Sequence, residues 1–99
     1  MVHTFKKVYE FIDTLPDGNA GEMLGYFVLV ESNLTEHLNI KTLRGKIKEL
    51  IVGQYRFVFF RFGGTVYVVD AFKKKSAKTP PRIIKRATKM YQRILNQNL

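Results

Sequence analysis

The side chains of this protein that could carry out chemistry are concentrated in its C-terminal part. Residues 41–99 contain fifteen Lys and Arg side chains but only two carboxylates, Glu49 and Asp70, which gives this segment a net charge of +13. Residues 1–40 hold six acids and two bases, a net charge of −4. Such a charge difference predicts a polyanionic partner and favours nucleic acid over a membrane surface.

The composition excludes several kinds of site. The chain has no Cys, which removes disulfides, thiolate zinc sites and Cys nucleophiles. The only histidines, His3 and His37, lie in the acidic part, so a His-based metal cluster or a Ser-His-Asp triad has little to be built from. The longest apolar run, residues 26–30, is far shorter than the roughly 20 residues of a membrane-spanning helix. We therefore expect a cytoplasmic protein with no cofactor, metal or membrane partner.

The N-terminal part is predicted to form two helices of a single domain that comprises residues 1–99. The first helix is indicated by apolar residues at helical spacing, namely Val8, Phe11, Ile12 and Leu15. Residues 15–19 have the composition of a turn. A second helical face runs from Ala20 to Leu38, although the β-prone residues 26–30 and the glycines Gly21 and Gly25 keep a strand open as the alternative.

The C-terminal part is predicted to form a sheet followed by a helix. Residues 46–52, 55–62 and 65–72 form an antiparallel meander with turns at residues 53–54 and 63–64. A basic loop, residues 73–78, leads to a helix with Thr79 as its N-cap and Pro80 as its first residue. The order α-α-β-β-β-α predicts an α+β fold with the helices on one side of a small antiparallel sheet.

Three segments resemble the RelE superfamily of bacterial toxins, and most of all its phage-derived, HigB-like branch. They are Lys46-Ile47-Lys48-Glu49-Leu50, Tyr55-Arg56-Phe57 and residues 72–80, which match the family pattern Phe-x-Lys-Lys-Ser/Thr-x-Lys-Thr-Pro. The last segment is the most specific, and the resemblance covers about residues 8–97. Two departures are visible. Ile51 replaces the Arg that follows Glu-Leu in the family, and only residues 1–7 are available for the family's first strand, which is therefore short or missing.

The resemblance implies the toxin of a type II toxin–antitoxin pair. Members of the family enter the ribosomal A site and cut the mRNA there without a metal ion. The 2′-hydroxyl attacks the adjacent phosphodiester, which leaves a cyclic phosphate and a free 5′-hydroxyl. The implied partners are the ribosome, mRNA and a helix-turn-helix, HigA-like antitoxin, through which alone the operator DNA is contacted.

This reaction needs a base for the 2′-hydroxyl proton, cations for the charge of the transition state and an acid for the leaving 5′-oxygen. Glu49 is the predicted base, and the planar guanidinium of Arg56 can bind a phosphate. Lysines of the predicted catalytic set neutralise charge or supply the acid: Lys48, Lys74, Lys75 and Lys78. Further bases are predicted to contact RNA phosphates: Lys46, Lys73, Arg82, Lys85, Arg86, Lys89 and Arg93.

The same residues have structural interpretations that stay open at this point. Glu49 can pair with Lys48 or Arg56 on a solvated sheet face, and the basic loop and helix face can be solvated surfaces. The strand aromatics are mostly core, with one or two available to stack on a base. The alternative functions are a ParE-like gyrase poison, an RNA- or DNA-binding module without catalysis, and an inactive toxin relic that binds only its antitoxin.

Overall fold

The computed structural model describes residues 1–16 and 19–98 and has an α+β fold, as the sequence predicts. Its elements are β1 (Val2–Thr4), α1 (Lys6–Asp13), α2 (Asn19–Glu31), β2 (Asn39–Arg44), β3 (Ile47–Val52), β4 (Tyr55–Phe62), β5 (Thr65–Lys73) and α3 (Pro81–Gln97). The turn predicted at residues 15–19 lies partly outside the described residues. Among the described helices, none combines the length and the apolar character that crossing a membrane requires.

The strands form one sheet in the order β1-β5-β4-β3-β2. The predicted meander is confirmed as β3, β4 and β5, which pair antiparallel in sequence. Gly63 and Gly64 both have positive φ, at 56° and 79°, which is the backbone that a tight two-residue hairpin turn requires. The sequence prediction missed β2, an antiparallel edge strand, and left β1 undecided; β1 is a short strand parallel to β5.

The second helix is confirmed, but it ends at Glu31 and does not reach Leu38. Asn33 adopts a left-handed conformation with φ 60°, and the Leu34 N–H bonds back to the Leu29 carbonyl at 2.9 Å, an arrangement typical of a helix C-terminus. The Arg61 guanidinium also donates to the Val30 carbonyl at 2.7 Å. The apolar spacing continues past residue 31 because Leu38 packs on the same core from outside the helix.

The helices cover both faces of the sheet, so the prediction that they share one side is wrong. Phe57 and Phe59 of β4 lie in a core cluster with residues of α1 and α2. Val58 and Phe60, which alternate with them, lie in a second cluster with Ile83 and Ala87 of α3. A strand buried on both faces has a continuous apolar run, and residues 57–60 of β4 have one.

A β-bulge in β5 directs Asp70 to the α3 face. Val58 pairs with Asp70 and Phe59 pairs with Val68, which leaves Val69 as the extra residue. The Asp70 side chain is 7% exposed and accepts from Lys7 of α1 and Arg86 of α3, each at 3.3 Å. Asp70 therefore links α1 and α3 to β5 through two ion pairs.

The start of α3 differs from the prediction. The helix begins at Pro81 with Pro80 in the N-cap position, so Thr79 is not the N-cap. Pro81 fits the first helical position because it lacks an N–H that would need a partner. The Thr79 hydroxyl contacts β3 instead of the helix.

We predict that Phe57→Ala lowers the free energy of unfolding by about 3–5 kcal/mol, because it empties a fully buried site. The Phe57 ring has no exposed area and packs edge-on against the rings of Phe11 and Phe27. Urea denaturation measures the loss. Tyr9→Ala, at a residue 47% exposed, is the control and is expected to stay within about 1 kcal/mol of wild type. Equal effects of the two variants would contradict the assigned core.

Candidate functional site

The strand register places the predicted base and the predicted phosphate-binding arginine on one face of the sheet. Glu49 of β3 lies opposite Lys41 of β2 and Val58 of β4. In the next row, Arg56 of β4 lies opposite Ile51 and Phe72. Val58 belongs to the core beneath α3, so these two rows lie on the α3 face. Beyond the start of α3 this face meets the basic loop.

A cavity of about 90 Å³, the Glu49 cavity, lies between the sheet and the loop. Its lining comes from β2, β3, β4, β5 and the loop: Lys41, Glu49, Ile51, Arg56, Phe72, Lys74, Ser76, Ala77, Lys78 and Thr79. Four of these side chains are cations and one is a carboxylate. The cavity thus has a net positive charge and would attract a phosphate group.

Glu49 is 3% exposed, and one of its oxygens accepts a hydrogen bond from the Thr79 hydroxyl at 2.5 Å. Within the described residues it has no ion pair, so the alternative pairing with Lys48 or Arg56 is not the arrangement found. No fully buried side-chain oxygen or nitrogen lacks a partner in the described part. The second carboxylate oxygen, for which no hydrogen bond is found there, therefore retains access to the cavity.

The turn between β3 and β4 positions Arg56. Its Nη1 donates to the carbonyls of Gly53 and Tyr55 at 2.8 and 3.0 Å, and the residue is only 8% exposed. The same turn holds the basic loop, because the Lys74 N–H donates to the Gln54 carbonyl at 2.7 Å. Fixing one nitrogen restrains the orientation of the whole planar guanidinium, and Arg56 is one of the residues that line the cavity.

The other lysines of the predicted catalytic set lie in three places. Lys74 and Lys78 line the Glu49 cavity. Lys75 lies on an adjoining depression of the loop. Lys48 alternates with Glu49 along β3 and shares its face with Leu50 of the α1–α2 core, so the structure does not bring it to the cavity.

The predicted RNA-contacting bases are exposed. Lys46 lies in the turn before β3, and Lys73 ends β5. The exposed face of α3 carries Arg82, Lys85, Arg86, Lys89 and Arg93. Arg86 is also held by its ion pair with Asp70. A basic helix face of this kind binds phosphates without reading sequence.

Sequence reasoning missed Lys41 and the role of Thr79. Lys41 belongs to the unpredicted edge strand β2, and only the register reveals that it lies beside Glu49. The sequence predicts a helix-capping role for Thr79 because Thr before Pro is a common helix start, and only the structure reveals its contact with Glu49. Within the described residues, no group of three or more His, Cys, Asp or Glu side chains could hold a metal ion.

Comparison with known protein families identifies a family profile that matches most of this chain. The profile of the family described as "Phage derived protein Gp49-like (DUF891)" matches residues 10–92. Comparison with curated protein sequences found no match.

Two solved structures have the same fold. The archaeal RelE–RelB complex from Pyrococcus horikoshii OT3 aligns with a TM-score of 0.66 at 17% identity, over 77% of this chain and 96% of that chain. The RelB–RelE antitoxin–toxin complex from Methanococcus jannaschii aligns with a TM-score of 0.57 at 18% identity, over 72% and 88%. The RelE-like fold that the sequence predicts is thereby confirmed.

We predict that Thr79→Val lowers the free energy of unfolding by about 1–3 kcal/mol, since the buried Glu49 carboxylate then loses its hydrogen-bond donor. Thr79→Ser keeps the hydroxyl and is the matched control, with a smaller loss. Urea denaturation at neutral pH compares the variants. If Val and Ser have the same effect, the hydroxyl does not stabilise Glu49.

Proposed function

This chain belongs to the Gp49-like family of phage-derived proteins, and from that membership we propose that it is the toxin of a type II toxin–antitoxin pair which cuts translated mRNA in the ribosomal A site. The observation that supports the cleavage most is the Glu49 cavity, where a buried carboxylate lies among Lys41, Arg56, Lys74 and Lys78. The fold shared with two RelE chains supports the same function.

In this proposal Glu49 is the general base. The Thr79 hydroxyl fixes one carboxylate oxygen, and the other accepts the proton of the RNA 2′-hydroxyl. The freed 2′-oxygen attacks the adjacent phosphorus, and the bond from phosphorus to the 5′-oxygen breaks. A carboxylate is a weak base at neutral pH, so the ribosome supplies much of the rate by holding the mRNA in line.

The cations of the cavity bind the phosphate in this proposal. Arg56 is the best restrained of them, because the turn carbonyls hold one guanidinium nitrogen of a side chain that lines the cavity. Lys41 and Lys74 approach from opposite sides, from the edge strand and the loop. They stabilise the additional negative charge of the transition state, and a lysine ammonium of the loop, Lys74 or Lys78, protonates the leaving 5′-oxygen.

Docking on the ribosome is proposed for the exposed bases outside the cavity. These are Lys46, Lys73 and the basic residues of α3, which would contact ribosomal RNA phosphates. Most acidic residues of the N-terminal part belong to α1 and α2, which pack on the opposite face of the sheet. The acidic residues of these two helices would thus lie on the face of the sheet turned away from the RNA.

The proposed partner is an antitoxin of the helix-turn-helix, HigA-like kind, and the proposed location is the cytoplasm. In the two structural neighbours the RelE chain is in complex with RelB. Contact with operator DNA is proposed to occur only through the antitoxin.

We predict that induced expression arrests growth, and that Arg56→Ala or Lys74→Ala relieves the arrest by at least about tenfold in colony counts, since each removes a phosphate-binding cation. Lys48→Ala is the matched control. It removes a lysine from the opposite face of the same sheet and is expected to stay toxic. Circular dichroism checks that all variants fold.

Full toxicity of both cavity variants would show that the Glu49 cavity is not the active site. Growth arrest with intact mRNA and gyrase-linked DNA damage would support a ParE-like poison. Salt-sensitive RNA binding without any cut, in the absence of growth arrest, would indicate a non-catalytic module.

A further inference from the structure

A larger depression, the Phe72 hollow, adjoins the Glu49 cavity and has a volume of about 340 Å³. Its apolar lining includes Phe11, Ala71, Phe72 and Pro80. The hollow lies beside the later part of β5, since residues 71–73 line it. Within the described residues no strand pairs with this part of the outer edge of β5, because β1 pairs only with residues 66–68.

The charge around the hollow has one sign. Lys73, Lys75, Lys78 and Arg82 line it, and among the described residues no acidic side chain does. An apolar floor with a cationic rim is complementary to a group that is flat and apolar but attached to anions. A nucleobase within a nucleic-acid strand has this chemistry.

Phe72 connects the hollow with the Glu49 cavity. It lies in both linings, together with Ser76 and Lys78, and it is the register partner of Arg56. The Phe72 ring is half-buried and makes no ring pair among the aromatic contacts of the described residues. A strand whose phosphate lies at Arg56 would hence place a neighbouring base at Phe72.

We propose that the Phe72 hollow is a nucleobase subsite, in which a base next to the cleaved phosphate stacks on Phe72 while the cationic rim binds the following phosphates. This inference rests on the proposed function for the position of the phosphate. It makes Phe72, which is partly buried at the margin of the core beneath α3, the aromatic residue that contacts RNA, whereas Phe57, Phe59 and Phe60 are fully buried in the core. An acidic segment of the antitoxin is the competing occupant of the hollow. The two occupants can be distinguished, because base stacking requires the Phe72 ring, whereas pairing of acidic residues with the cationic rim does not.

The test uses a single-stranded RNA tetranucleotide that carries 2-aminopurine at each position in turn and has 2′-O-methyl sugars at every position, so that no 2′-hydroxyl is free and cleavage is blocked. Stacking on an aromatic ring quenches 2-aminopurine fluorescence. With the wild-type protein at low salt we expect quenching at one or more positions. Phe72→Leu keeps an apolar side chain but removes the ring, and should weaken binding about tenfold and abolish most of the quenching.

Two control variants distinguish a loss of base stacking from a loss of folding and from a loss of charge. Phe62→Leu changes a half-buried ring at the other end of β4, outside both linings, and should bind and quench like wild type. Lys75→Ala should weaken binding and lower the slope of log affinity against log salt by about one, with quenching at saturation retained. Thermal denaturation of each variant verifies that it is folded.

Unchanged quenching in a folded Phe72→Leu variant would overturn the inference. If mRNA is cut on ribosomes but no quenching depends on Phe72, the proposed function is supported and the nucleobase subsite is contradicted. If quenching depends on Phe72 but no mRNA is cut, the subsite is supported and the proposed cleavage is contradicted. Weaker binding of the purified antitoxin by Phe72→Leu, with RNA quenching unchanged, would assign the hollow to the antitoxin and also overturn the inference.

Discussion

The register of β3, β4 and β5 is the constraint on which the candidate site depends. Successive side chains of a strand point to opposite faces, so a slip of one residue would exchange Glu49 with Lys48 and Arg56 with Phe57. The charged pair would then enter the α1–α2 core, and the Phe57 ring would lose its burial. Because the cores on both faces of β4 require the observed pairing, the same packing that stabilises the sheet also positions Glu49 and Arg56.

The two faces of the sheet consequently differ in the helices that cover them and in the charged residues that they carry. One face is covered by α1 and α2, which carry four of the eight acidic residues. On the other face α3 covers only part of the sheet, and the uncovered end holds the Glu49 cavity. Polar contacts fix the groups at this end: the turn carbonyls hold Arg56, the Gln54 carbonyl holds the loop at Lys74, and the Thr79 hydroxyl holds Glu49. The charge concentrated in the C-terminal part is thereby divided between the cavity, the loop and the exposed helix face.

Local sequence patterns predict the meander, α1 and the body of α3, because each has a clear hydrophobic period or turn residues such as Gly63 and Gly64. They do not predict β2, a mostly exposed edge strand, nor the end of α2, where Leu38 continues the helical spacing from outside the helix. For the site, the motif residues Glu49, Arg56, Lys74 and Lys78 come together, while Lys48 does not. Lys41 and the Thr79 contact depend on pairing between distant segments, which residue types alone do not specify.

The central claim, that the Glu49 cavity cuts translated mRNA, is tested most directly by mapping mRNA 5′ ends after a brief pulse of expression, with a ligation that distinguishes 5′-hydroxyl from 5′-phosphate ends. We expect new 5′-hydroxyl ends within translated reading frames, absent from untranslated regions and absent with Glu49→Gln. New ends that persist in the Glu49→Gln variant, or intact mRNA during growth arrest, would contradict the account.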